Sequence, residues 1–120
     1  MSRFARGAAV APVLNRKLVL EELADAPDGA GGRVRSWRSL GVLWASVEAR
    51  TAREIEAAEG ERSRVSHRIL VRAAPVGARA RPRADQRFRE GARVFAIRAV
   101  SEADARGRFL ICWADEETGP

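Results

Sequence analysis

Apolar and polar positions alternate with a period of two over most of the chain, which is the pattern of half-buried strands. In residues 14–23, LNRKLVLEEL, the residues Leu14, Leu18 and Leu20 share one face. Arg16 and Glu22 fall on that face too, so the alternation is imperfect and a short helix competes with the strand we favour. Residues 25–32, DAPDGAGG, concentrate Asp, Pro and Gly, the residues a chain reversal needs. A strand is expected from Arg33 to Trp37, then a break at Ser39–Gly41, then a strand over 42–49. In that strand Leu43, Ala45, Val47 and Ala49 face one way, while Val42 and Trp44 open a face that ends polar at Ser46 and Glu48. Residues 64–73 alternate well. Val65, His67, Ile69 and Val71 oppose Ser66, Arg68, Leu70 and Arg72. Residues 75–86 read as a loop or edge, 87–89 as a brief pairing segment, and 93–100 with 107–114 as a hairpin.

One segment breaks the period of two. Thr51-Ala52-Arg53-Glu54 is a capping box: the Thr51 hydroxyl accepts from the third helical N–H and Glu54 reaches back to the Thr51 N–H. A helix from there to about Glu59, stopped by Gly60, carries a narrow apolar stripe of Ala52, Ile55 and Ala58. A helix of about two turns is not stable alone, so it must lie on the sheet or on a neighbour. The expected fold is mainly β: a small β-barrel of about six strands with one short inserted α-helix. Residues 1–13 read as an N-terminal arm rather than a cleaved leader, 14–114 as the barrel, and 115–120 as an acidic C-terminal tail. With 120 residues there is material for one core and no more.

Charge sharpens this picture. The net charge is +6, and the bases are 21 Arg to one Lys. The chain is also rich in Ala and Gly, as a G- and C-rich genome produces, so the preference for Arg over Lys says little about function. Its distribution says more. Residues 62–98 hold eleven Arg against Asp85 and Glu90, a net of +9, whereas residues 18–61 are at −4 and 99–120 at −3. Such polarity suits either a basic face for a polyanion or an acidic protein ring, or charge complementarity between copies of the chain. Arg79, Arg81 and Arg83 sit at strand spacing, where they would form one basic ridge toward DNA; a solvated loop in an Arg-rich chain is the equal alternative. No aromatic is interleaved among them for base stacking.

Catalytic candidates are few. His67, the one histidine, falls on the apolar face of its strand, where a structural role outweighs that of a catalytic base. Cys112 lies in the apolar stretch LICWA with no metal-ligand spacing around it, so it reads as a buried, inert thiol, and the cytoplasm as the simplest compartment. No phosphate-binding glycine motif is present. Glu54, Glu56, Glu59 and Glu61 read as a solvated helix face. No apolar run reaches membrane-span length, no cofactor is expected, and no enzyme is expected. Trp44 on a partly polar face suits a groove or subunit contact; with it, Arg53, Glu54 and Glu56 are the protein-interface candidates. Trp37, Thr51 and His67 are the structural ones.

The ordered set formed by L-x-x-K-L-x-L at 14–20, Gly31-Gly32, Trp37, Leu40, Val42-Leu43-Trp44-Ala45-Ser46-Val47, Arg53-Glu54, Ser66-His67-Arg68-Ile69 and the late hairpin resembles the head–tail joining (head-closure, or stopper) proteins of long-tailed phages, over about residues 14–114. The Arg- and Ala-rich character also suits a phage-like gene transfer agent. The resemblance implies a barrel assembled as a ring, six-fold before twelve-fold. It would sit in the particle neck, between a head adaptor ring below the portal and a tail terminator ring, and be assembled in the bacterial cytoplasm. That ring would retain packaged double-stranded DNA and present the tail-docking surface. Loops 25–32 and 75–86 are the candidates for closing its channel. The competing reading is a small basic barrel that binds RNA: as a toxin-type ribonuclease it calls for a catalytic pair near the arginines that the sequence does not offer, while a sequence-nonspecific RNA-binding module stays open.

Overall fold

The computed structural model describes residues 12–50 and 65–117. They form six antiparallel strands: β1 Arg16–Pro27, β2 Arg33–Ala49, β3 Val65–Arg72, β4 Arg87–Glu90, β5 Arg93–Glu102 and β6 Phe109–Glu117. The strands close into a barrel in the order β1-β2-β3-β6-β5-β4. The closing seam is short. Val19, Leu20 and Glu21 of β1 pair with Arg89, Phe88 and Arg87 of β4. The fold is thus mainly β, as the alternation indicates, and there is no helix among the described residues. The capping box and helix expected over 51–60, with Thr51, Arg53, Glu54 and Glu56, lie outside them, as do residues 1–11 of the arm.

Alternation along each strand sends one face inward. Leu18 and Leu20 (β1), Ala45 (β2), Ile69 and Val71 (β3), Phe88 (β4), Phe95 and Ile97 (β5), and Leu110, Cys112 and Ala114 (β6) fill the interior. Phe88 and Phe95 are cross-strand partners and both fully buried. Each such side chain contributes on the order of 1.5–3 kcal/mol by leaving water. Burial pushes the Cys112 thiol up to about 12, so it is protonated and inert at neutral pH.

Three local readings change. The expected break at Ser39–Gly41 is a bulge inside one continuous β2. The register steps from Leu20↔Gly41 to Glu21↔Ser39, leaving Leu40 unpaired and packed against the core. Gly41 has φ +136°, a backbone state that side chains disfavour, and its N–H donates to the Ser39 hydroxyl at 3.2 Å. Second, β1 extends to Pro27, so β1 and β2 leave the barrel as a two-stranded ribbon. Its tip is held by Asp28, whose carboxylate accepts from the N–H groups of Ala30 (2.8 Å) and Gly32 (3.0 Å). Third, the brief pairing at 87–89 is a full barrel strand that closes the seam. At the other end of the sequence, β6 runs on to Glu117, so that Asp115 and Glu116 pair with neighbouring strands.

Candidate functional site

Polar side chains at the barrel's seam form one cluster. Glu21 is buried, and it accepts from Arg87 Nε at 2.7 Å and Arg89 Nε at 2.8 Å. Burial alone would raise its carboxyl; the hydrogen bonds from Arg89 and Arg87 more than reverse that and leave the pKa below the usual glutamate value. Trp37 lies beside this cluster on the outer surface, with the Arg87 guanidinium 4.1 Å from its ring centroid. Trp37 is therefore a half-exposed packing surface for an arginine, not a core residue.

A second cluster closes one end of the interior. Arg16 binds Glu90 through two hydrogen bonds, 2.7 and 2.6 Å, and Arg93 binds Glu116 in the same way at 2.8 and 3.0 Å. Arg93 Nη1 is also 3.8 Å from Glu90, and His67 Nε2 is 3.7 Å from Glu116. Five strands thereby contribute to one ionic layer. The position of Arg16 on the apolar face, the flaw in the alternation of 14–23, was the signal for this layer. His67 is buried against the edge of Phe95, with ring centroids 5.1 Å apart. Burial lowers its pKa, opposed in part by the charge of Glu116, so the ring is neutral at pH 7. Its Nδ1 has no hydrogen-bond partner among the described residues. His67 thus sits inside the barrel as expected, but as an under-bonded ring rather than a well-bonded one.

These pairs account for much of the charge segregation in the sequence. Several arginines of 62–98 meet acids from the other two segments: Arg87 and Arg89 with Glu21, Arg93 with Glu116, Arg98 with Asp115 at 2.6 Å, and Arg68 with Glu48 at 3.7 Å. Strands of opposite charge are neighbours in the sheet.

Arg79, Arg81 and Arg83 do not form one ridge. The segment between β3 and β4 turns repeatedly: the Ala78 carbonyl accepts from the Arg81 N–H at 3.0 Å and the Arg83 carbonyl from the Gln86 N–H at 3.1 Å, so the three arginines do not share an extended backbone. Arg81 folds back to donate to the Ala74 carbonyl at 2.9 Å. Arg79 and Arg83 instead line a cleft of about 190 Å³ with Glu22, Leu40, Gly77, Ala78 and Gln86. Arg79 donates to the Ser39 carbonyl at 3.4 Å, and Arg83 lies 3.7 Å from Glu22. Sequence reasoning did not find the partners of this cleft, because they come from the base of the ribbon.

Trp44 is 55% exposed and Val42 50% exposed. Their strand partners Lys17 and Val19 lie on the same outer face. Trp113 is covered by Arg50 and Arg68, whose guanidiniums are 5.2 and 5.5 Å from its ring centroid. No group of three metal-ligating side chains occurs among the described residues. What the arrangement offers is surface for association: exposed apolar side chains, a basic-rimmed cleft and a projecting ribbon.

Comparison with known proteins accords with such a role. The phage head completion protein family model matches residues 10–117. A solved chain from the virion of a native gene transfer agent particle is 48% identical. It covers 90% of this chain and 98% of its own length, with a TM-score of 0.72. The solution structure of protein SF1141 from Shigella flexneri 2a, 21% identical, shares the fold over 89% of this chain and 96% of its own, with a TM-score of 0.69. No curated protein matches the chain. The chain belongs to the phage head completion protein family, which makes it a structural protein of a phage-type head.

Proposed function

We propose that this protein assembles as a ring in the neck of a tailed phage or gene transfer agent particle, closes the DNA-filled head, and provides the surface on which the tail attaches. The observation that carries this reading is the likeness, at 48% identity and over 90% of the chain, to a chain of a gene transfer agent virion. The exposed Trp44 and Val42 support it, because such side chains suit burial between subunits. The ring has six copies in our reading. It contacts an adaptor ring on the portal side, a tail terminator ring on the other, and packaged double-stranded DNA in its channel. Assembly takes place in the bacterial cytoplasm.

Arg79 and Arg83 are the candidates to face DNA or the adjacent ring, since their cleft leaves both guanidiniums at the surface. An RNA-binding barrel draws no support from the arginines of 62–98, most of which the described structure commits to carboxylates or carbonyls. Gold-labelled antibody against the chain, applied to intact particles, tests the placement. Label confined to the head–tail junction is expected; label over the capsid shell or along the tail contradicts it.

A further inference from the structure

Among the described residues, the ribbon of β1 and β2 has two open edges. Beyond Glu21 no described strand lies beside β1, because β4 pairs only with Val19–Glu21. On the other side β3 pairs only with Ala45–Ala49 of β2. The 73–86 loop reaches the base of the ribbon at the Ser39 carbonyl, through Arg79, and at the Glu22 side chain, through Arg83, and among the described residues no hydrogen bond from it falls on the backbone of 22–27 or 33–38. Among the described residues, segments 22–27 and 33–38 therefore each have one edge without a backbone partner. An edge of this kind is a template for another strand.

The two edges carry opposite charge. Segment 22–27 holds Glu22 and Asp25 and no base, whereas 33–38 holds Arg33, Arg35 and Arg38 and no acid. Within one chain they already attract: Arg38 is 2.6 Å from Glu22 and Arg35 is 3.3 Å from Asp25. The ribbon also exposes apolar side chains, Val34 at 47% and Trp37 and Leu23 at 36% each.

We infer that neighbouring copies of this chain join edge to edge through the ribbon, the acidic 22–27 edge of one against the basic 33–38 edge of the next. Pairing two 33–38 edges would set arginine against arginine, and pairing two 22–27 edges would set acid against acid. Only the mixed contact is favourable. It uses two different patches on each subunit, which is the head-to-tail type of contact that closes rings. Ribbons side by side and pointing the same way place β1 of one copy antiparallel to β2 of the next. If the register used within the chain is repeated, Leu23 meets Trp37, Asp25 meets Arg35 and Ala24 meets Ser36. The inference rests on the ring reading above and names the contact that builds the ring.

Single-cysteine variants Ala24→Cys and Ser36→Cys test it, made in the full chain and expressed singly or together in particle-producing cells without the native copy. The native Cys112 is buried and does not interfere. After mild oxidation, particles from mixed expression should yield a disulfide-linked dimer that neither variant gives alone. Mixed particles that contain the chain but no dimer overturn the edge contact, and dimers from either variant alone show a two-fold contact instead. Hydrogen exchange on the native chain gives the second readout, independent of the substitutions: amides of 22–27 and 33–38 should exchange about tenfold or more slower in particles than in the isolated chain. Equal exchange in both overturns the proposal. Native particles devoid of the chain would instead overturn the ring reading, and the contact with it.

Discussion

The guanidinium of Arg87 lies 4.1 Å from the centre of the Trp37 ring while its Nε donates to the buried Glu21. One side chain thus ties the base of the ribbon to the seam that closes the barrel. Arg87→Ala removes both contacts and leaves Glu21 with Arg89 alone. We expect a loss of about 1–3 kcal/mol in unfolding free energy, read from the urea midpoint. Arg87→Lys should recover only part of it, because an ammonium lacks the planar face that stacks on Trp37.

Acid should destabilise the fold in two stages. The Glu116 carboxyl is held below its usual value by the hydrogen bonds from Arg93, Glu90 by those from Arg16, and Glu21 by Arg89 and Arg87 against the effect of burial. His67 is also lowered, through burial. A group whose folded pKa is depressed binds fewer protons folded than unfolded. Its contribution is complete above the unfolded pKa and is lost as pH falls through the folded one. Stability should therefore begin to fall below about pH 6.5 through His67 and fall further below about pH 4.3 through the carboxylates. His67→Leu should abolish the first stage while leaving the second. A urea-midpoint profile between neutral pH and pH 5 that is the same for both proteins would remove His67 from this account.

Truncation in the barrel centre should be severe. Phe88 and Phe95 face each other across β4 and β5 with no exposed surface. Phe95→Ala should cost about 3–5 kcal/mol, a large part of the 5–15 kcal/mol typical of a domain. Calorimetry of the soluble chain checks this, and the exposed Val76→Ala is a suitable control because it should change little.

The barrel was legible in the sequence wherever alternation ran long enough. His67, Ile69 and Val71 lie on the inner side, and the late hairpin pairs where the two apolar runs lie. Arg16 on the apolar face of 14–23 read only as a flaw in the alternation, although that position is the trace of its pair with Glu90. Ser39–Gly41 misled because a glycine looks the same in a turn and in a bulge; only the partner strand, with its step between Leu20 and Glu21, tells them apart. The four residues of β4 are too few to show a period. The ridge of Arg79, Arg81 and Arg83 depended on an extended backbone, which the turn closed between Ala78 and Arg81 replaces. Interfaces between copies leave a fainter trace, since Trp44 looks the same in sequence whether it faces a core, a groove or a neighbour.

The three arginines should now separate by role. Arg81 holds the Ala74 carbonyl, so Arg81→Ala should lower stability by about 0.5–2 kcal/mol through a lost hydrogen bond. Arg79→Glu with Arg83→Glu should leave the urea midpoint within about 0.5 kcal/mol, as surface changes do, yet impair DNA retention or particle assembly. Particles of normal number and DNA content from the double variant would show that this cleft faces neither DNA nor a neighbouring ring.

The central claim is closure of the filled head and attachment of the tail. It is tested most directly by negative-stain microscopy of particles made without this chain, together with a nuclease-protection assay of their DNA. The account predicts tailless heads that fill but release their DNA. Tailed particles of normal appearance that retain their DNA would contradict it.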